Sequence, residues 1–332
     1  MAINRKRGLI VLGCLLYVAL LPAQAPLTID LGYRGGSIAG LQKPEKALHF
    51  IVMGDWGRNG ENYQKEVAAG MGKAAHDLDA SFVVATGDNF YPYGVASTQD
   101  YQWISSFETI YTAQSLHVKW YPVLGNHDYL SNPDAQVAYS KNSSRWTMPA
   151  RYYSKTFAVG GDTAQKVLMV FIDTDPIEKQ LRGQPYDSIK YPAGAVETQL
   201  QWIEQQLSDS KATWKIVVGH HPLYSGGWRA NIQDTKNMRA FLEPVFRKHK
   251  VEVYISGHEH HLEYTRPPGN THYVISGSAS ESRPAALNEN GGQFTAAKQG
   301  FATFSVTAKE ILVQFIDYTG AVINTSVLQH LK

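Results

Sequence analysis

From residue 48 onward, short apolar runs rich in β-branched and aromatic side chains recur at 49–53, 82–85, 120–124, 167–172, 215–218, 251–255 and 273–275. Runs of this length and composition predict strands. Two more, 301–306 and 311–316, flank Ala308, Lys309 and Glu310 and predict a terminal hairpin. Between several of these runs the period changes. Val196, Leu200, Ile203 and Leu207 step by four, three and four, which puts them on one helical face. Met238, Phe241, Leu242, Val245 and Phe246 do the same, with Pro244 expected to bend or interrupt that helix. Tyr63, Val67, Met71, Ala74 and Leu78 form a third stripe. All three stripes are core faces. Strand–helix alternation that gives way to late strands predicts an α/β layered sandwich rather than a simple doubly wound sheet.

Five of the strand-like runs end in residues able to bind metal. They are followed by Gly54-Asp55-Trp56-Gly57, by Gly87-Asp88-Asn89-Phe90-Tyr91, by Gly125-Asn126-His127-Asp128, by Gly219-His220-His221-Pro222 and by Gly257-His258-Glu259-His260-His261. Strand ends feeding loops along one sheet edge are where α/β folds place ligands. A lone Gly-Asp is ordinarily a turn, and a lone histidine ordinarily a satisfied core or surface group. The joint pattern is different, because six of the twelve histidines fall in these clusters, each after an apolar run. Carboxylate, phenol and imidazole together can hold two metal ions close enough to activate water and stabilise an in-line displacement. In an extended segment His258 and His260 point to the same side, so each can reach one ion.

The first 25 residues change the charge. Arg5-Lys6-Arg7, an uncharged run over 8–21 and Pro22-Ala23-Gln24-Ala25 read as a secretory signal peptide with an A-x-A site. The apolar run is short of the ~20 residues of a spanning helix, so no stable membrane span is expected after cleavage. Removing the leader leaves 28 Lys and Arg against 29 Asp and Glu, a net charge of −1. No basic tract remains to bind nucleic acid. The single cysteine, Cys14, lies in the leader, so an exported product, secreted or periplasmic, has no disulfide. Asn142-Ser143-Ser144 and Asn324-Thr325-Ser326 match the glycosylation sequon, which matters only in a eukaryotic secretory pathway. Residues 26–44 are Gly-rich and aperiodic and read as a linker, leaving 45–332 as one domain.

The clusters, in order, resemble the purple acid phosphatases within the calcineurin-like metallophosphoesterases. That family's pattern is D-x-G, G-D-x-x-Y, G-N-H-[DE], V-x-x-H and G-H-x-H. It is matched by Asp55-Trp56-Gly57, by 87–91, by 125–128, by Val217-Val218-Gly219-His220 and by 257–260. Tyr91, three residues after Asp88, singles out the purple subset. The stretch 136–146, with Ala138-Tyr139-Ser140-Lys141, is similar to the small, tartrate-resistant animal type.

The resemblance implies a four-layer α/β/β/α sandwich with two mixed β-sheets, and hydrolysis of phosphate monoesters by a metal-activated hydroxide at a binuclear centre. Asp55, Asp88, Tyr91 and His260 would hold Fe(III). Asp88, Asn126, His220 and His258 would hold a divalent ion (Fe, Zn or Mn), with Asp88 bridging. Ligand type agrees, since the oxygen-rich set suits a hard trivalent ion and the nitrogen-bearing set a borderline divalent one. Three ligand charges against five on the metals leave the centre positive enough to attract phosphate. Substrates would be small phosphomonoesters or phosphoproteins. His127 matches a position that contacts phosphate and can protonate the leaving oxygen, and Asp128 is expected to orient it. His221 and His261 are expected to face away from the ions, and Glu259 to be solvated or salt-bridged.

Two departures stand out. Animal-type members carry a further active-site histidine nine residues after the ligand of the fourth cluster, where this chain has Arg229. Their disulfide is absent too. Arginine stays charged but can clamp phosphate oxygens in a two-pronged hydrogen bond. The connection over 175–194 is long and reads as a regulatory lid or a disordered stretch. A phosphodiesterase or nucleotidase on the same scaffold, or a non-catalytic phosphate- or metal-binding module, are the competing readings.

Overall fold

The computed structural model describes residues 37–183 and 190–330. The apolar runs form two mixed sheets. In chain order the elements are β1 (Leu48–Met53), α1 (Gln64–Leu78), β2 (Phe82–Ala85), β3 (Lys119–Pro122), α2 (Pro133–Tyr139), β4 (Tyr153–Val159), β5 (Asp162–Phe171), α3 (Thr174–Leu181), α4 (Ala195–Asp209), β6 (Trp214–Val218), α5 (Gln233–Lys248), β7 (Val253–Ser256), β8 (Leu262–Thr265), β9 (His272–Ser276), β10 (Gly292–Ala296), β11 (Gly300–Val306), β12 (Glu310–Asp317) and β13 (Val322–Gln329). The first sheet runs β13-β12-β11-β1-β2-β3 and the second β10-β8-β9-β7-β6-β5-β4.

Alternation along β5 shows how the layers are built. Val167, Met169 and Phe171 enter the core that also contains Phe50, Val52 and Phe82 of the first sheet. Leu168 and Val170, with Ile172 just beyond the strand, enter a second core with Ile177 of α3, Ile203 and Leu207 of α4, and Met238 and Leu242 of α5. The period-two pleat therefore faces one sheet and three helices from a single strand. Helix α1 covers the first sheet, touching β1, β11 and β12. The order is helix, sheet, sheet, helices, the expected four-layer sandwich.

Parallel pairing sets direction. Strands β1, β2 and β3 are mutually parallel, as are β5, β6, β7 and β9. The terminal hairpin is β11 with β12, antiparallel.

Several expectations need correcting. Helix α5 continues through Pro244 without interruption. Tyr63 caps α1 rather than packing beneath it, and is exposed against Tyr318. The end of the segment read as linker is packed, with Ile38 buried and its N–H donated to Asp77 of α1. The connection over 175–194 opens as helix α3, and 184–189 lie outside the described residues. The leader also lies outside them. Among the described residues no helix is long and apolar enough to cross a membrane.

Candidate metal centre

The five clusters follow the C-terminal ends of five parallel strands, three in one sheet (β1, β2, β3) and two in the other (β6, β7). Backbone bonds tie neighbouring ends together. Asp55 N–H donates to Gly87 O at 3.0 Å, and Gly257 N–H to His220 O at 3.0 Å. Contacts also cross between the sheets. His220 Nδ1 lies 2.8 Å from Thr86 O, and His258 N–H donates to Asp55 Oδ2 at 2.9 Å. Close approach explains two of the glycines. A Cβ on Gly125 would sit 2.2 Å from Asp88 N and Oδ1, and one on Gly257 would sit 2.5 Å from Asp55 Oδ2.

The side chains converge on two points. The Tyr91 hydroxyl oxygen lies 3.1 Å from Asp55 Oδ1, 2.9 Å from Asp88 Oδ2 and 3.1 Å from His260 Nε2. His220 Nε2 lies 3.2 Å from Asn126 Oδ1, 3.1 Å from His258 Nδ1 and 3.4 Å from Asp88 Oδ1. Asp88 thus turns one oxygen to each group. One ligand atom each of Asp88, His220 and His258 lies within 4.8 Å of the others, close enough to hold one ion jointly.

Hydrogen bonding alone leaves both groups short of protons. Tyr91 has one hydroxyl proton for two carboxylate oxygens, with the His260 ring nitrogen as a third neighbour. His220 Nδ1 faces a carbonyl and so carries its proton, leaving the Nε2 lone pair against two oxygens and a nitrogen. Donor atoms converging with too few protons fit a cation at each point. The acid–base balance agrees. Burial, then the neighbouring Asp88, raise Asp55 to about 7 despite the pull of His220. Burial and the two aspartates push Tyr91 well above 10. Burial would lift Asp88 too, but His220 and His127 outweigh it and hold it low. Burial lowers His258 well below its ordinary value, and His260 to about 3.

Asp55, Asp88, Tyr91, Asn126, His220, His258 and His260 are therefore brought together. His127 stands beside them, one-third exposed, its Nε2 4.0 Å from Asp88 Oδ2 and its ring 4.5 Å from that of Tyr91. Its orienting partner is not Asp128. His127 Nδ1 lies 2.7 Å from Pro92 O. Asp128, fully buried, instead accepts from the backbone N–H groups of Gly125 (2.8 Å), Asn89 (3.0 Å) and Phe90 (3.3 Å), binding the second and third clusters together. Side chains adjacent in sequence diverge here because Asp128 opens a 3₁₀ turn over Asp128–Leu130.

Arg229 pairs with Glu259, Nη1 to Oε1 at 3.3 Å, and lies over the Trp228 ring. It lines a small cavity together with His221 and His258. Glu259 is buried and salt-bridged, not solvated. His261 is buried on Glu263 at 2.6 Å, and His221 on Thr174 at 2.9 Å. Sequence reasoning missed Arg58, whose guanidinium lies 3.8 Å above the Tyr91 ring. It is anchored by Ser280 Oγ at 3.1 Å and Glu281 at 2.8 Å. Its place next to Asp55-Trp56-Gly57 was the available signal.

Carboxylates, a phenol, an amide and imidazoles converging at the strand ends of two sheets form a constellation able to hold metal ions. Residues 48–262 match the calcineurin-like phosphoesterase family. The chain is 36% identical over 296 residues to purple acid phosphatase 17 of Arabidopsis thaliana, across 85% of this chain and 84% of that one. It is 31% identical over 290 residues to tartrate-resistant acid phosphatase type 5 of Oryctolagus cuniculus, across 82% and 88%. Among solved structures, GAP50, the anchor in the inner membrane complex of Plasmodium, superposes with a TM-score of 0.76 at 25% identity, covering 87% of this chain and 90% of that one. Purple acid phosphatase PPD1 from yellow lupin shares the fold, with a TM-score of 0.61 at 17% identity over 86% and 54%. The chain belongs to the purple acid phosphatases, and it is accordingly a metal-dependent phosphoric monoester hydrolase whose family implies a binuclear centre.

Proposed function

We propose that this acid phosphatase uses an Fe(III)–M(II) centre, with Asp55, Asp88, Tyr91 and His260 around the ferric ion. Asp88, Asn126, His220 and His258 would surround a divalent Fe, Zn or Mn ion. The carrying observation is the Tyr91 oxygen within 3.1 Å of two carboxylate oxygens and the His260 Nε2, while the second oxygen of Asp88 faces the nitrogen-bearing group. When bound, the two ions supply a nucleophile from water and positive charge for the developing phosphoryl oxygens.

The chain's own residues do the rest. With Nδ1–H held by the Pro92 carbonyl, His127 offers Nε2 to the site. Nε2 is thus the His127 nitrogen placed to meet the leaving oxygen of a phosphate ester. Asp128 positions the loops that carry Asp88 and His127. Arg229, which lines the same small cavity as His258 and shares its charge with Glu259, is the candidate to clamp phosphate oxygens. The basic and apolar N-terminal segment supports export. Relatives include a protein described as an anchor, so the scaffold alone does not fix activity. The complete set of seven donors plus His127 favours catalysis here.

The test is metal analysis with a visible spectrum of native protein, plus a panel of phosphate mono- and diesters. Iron, a phenolate-to-iron band that Tyr91→Phe abolishes, monoester preference and an optimum below neutrality are expected. Iron-replete protein with no visible band would remove the tyrosine assignment, and diester preference the substrate class.

A further inference from the structure

Next to this centre is a second group of ligand-capable side chains that the phosphatase reaction does not use. Asp175 and Glu178 are three apart on α3, so they project from one helical face. His221 follows the ligand His220 and reaches the same place, its ring 4.5 Å from that of His258. One ligand atom from each of Asp175, Glu178 and His221 lies within 4.8 Å of the others. All three residues are buried, at 0%, 5% and 5% exposure.

Two carboxylates buried this close need compensation, and their hydrogen bonds are incomplete. Asp175 Oδ2 accepts from Tyr191 at 2.6 Å, while Asp175 Oδ1 has no hydrogen-bond partner among the described residues. Glu178 Oε1 is paired with Arg182, while Oε2 makes no hydrogen bond among the described residues and has Lys179 Nζ 3.6 Å away. Arg182 is itself shared with Asp234. His221 Nδ1 lies 2.9 Å from Thr174 Oγ1, which also accepts the backbone N–H groups of His220 and His221, and Nε2 is the ring nitrogen that Thr174 does not engage. A cavity of about 20 Å³, lined by Glu178, His221 and His258 among others, adjoins the group. That is space for one water or one ion.

We propose that Asp175, Glu178 and His221 form a further cation site, distinct from the binuclear centre. Two carboxylates and one imidazole suit a borderline divalent ion such as Zn²⁺, and three protein ligands leave a coordination position open towards the cavity. Bound there, the ion would pin α3, which follows β5, to the loop that carries His220. It would thereby brace the divalent side of the centre. The sequence hid this site, because the segment holding Asp175 and Glu178 reads as a loop.

The test counts ions. Purified wild type, Glu178→Gln and Asp175→Asn, each carrying its resident metals, are dialysed against buffered zinc, and metal per chain is measured. Thermal unfolding is followed with and without zinc. Wild type is expected to hold one ion per chain more than either variant, and zinc to raise Tm in wild type alone. The readout is a difference, so it stands even if the resident count departs from two, and the two ideas fail separately. Equal metal content in wild type and a folded variant overturns the site. So does wild type that takes up no zinc beyond its resident ions, a result that needs no variant.

Discussion

Asp128→Ala tests whether Asp128 is a clamp rather than a partner of His127. The carboxylate is fully buried and accepts three backbone N–H groups, from Gly125, Asn89 and Phe90, with Asn89 Nδ2 at 3.4 Å as a fourth contact. Truncation leaves those donors facing an apolar gap. A buried donor without a partner costs about 1–3 kcal/mol, so three give a ceiling of about 9 kcal/mol. Water entering the gap and loop relaxation reduce this, and about 3–5 kcal/mol is the expected loss. That is a large part of the 5–15 kcal/mol that domains typically have. Asp128→Asn keeps the shape and one acceptor oxygen but turns an amide N–H₂ towards N–H donors. It should cost about half as much.

The assay is urea unfolding of metal-replete protein, with kcat measured on the same samples. The expected order of stability is wild type, then Asn, then Ala. kcat should fall in both variants, because the loop carrying Asn126 and His127 hangs from the Gly125 N–H bond. Asp128→Ala within about 1 kcal/mol of wild type, with kcat selectively lost, would refute the clamp and restore a role at His127.

Arg229→Ala strips the buried Glu259 of its cation, and should cost about 1–3 kcal/mol by urea unfolding. It should also raise KM and weaken phosphate inhibition with kcat retained. Unchanged KM and inhibition would leave Arg229 only its pairing with Glu259. Gly125→Ala drives a methyl into Asp88, the carboxylate shared by both groups, and should lower metal content at both positions. Full metal occupancy in that variant would contradict the packing. Far from the centre, burial raises Glu252 to about 7. The folded state then holds more protons than the unfolded between about pH 4.5 and 7, so this group's contribution to stability falls as pH rises through that window. Glu252→Gln should flatten the slope of the urea midpoint over that range, and an identical slope would contradict the shift.

What the sequence disclosed follows burial. Strands β1, β2, β6 and β7 are buried almost throughout, so they read as continuous apolar runs, and the residues after them were legible as ligands. Strands β4, β8, β10 and β13 were missed. β4, β10 and β13 lie at sheet edges and are partly solvated, so their patterns do not separate from loop, whereas β8 is buried but only four residues long, carries Glu263 among its buried positions and follows the fifth cluster directly. Helix α3 was missed because Pro176 looks like a breaker, yet in the first turn its missing N–H costs nothing. The role of Asp128 was misread for a different reason. Adjacency in sequence says little about contact once a turn intervenes, and the partners of Asp128 lie up to 39 residues away. Arg229 is a similar case, since neither its pairing with Glu259 nor the burial of that carboxylate could be read from spacing.

The geometry of the centre is partly stored in the backbone. Asp55, Asp88 and His258 have φ of 59°, 47° and 68°, in the left-handed region that residues with a Cβ ordinarily avoid. Such a conformation costs roughly 1–2 kcal/mol per residue, less for aspartate. Each of these turns coincides with a bond between clusters. Asp88 Oδ1 accepts from His127 N–H at 2.8 Å, and Asp55 Oδ2 from His258 N–H at 2.9 Å. Such hydrogen bonds contribute about 0.5–1.5 kcal/mol each, and about 1.5–3 kcal/mol where the carboxylate is charged, which is comparable with the strain. The same oxygens that would bind metal therefore also fix the loops before metal arrives. Aspartate serves at the first two positions because it tolerates the left-handed backbone and ligates. Histidine at 258 has less tolerance, and its conformation depends on the N–H bond to Asp55. Losing the Asp55 carboxylate should thus disturb His258, and with it the nitrogen-bearing group, although Asp55 belongs to the other one.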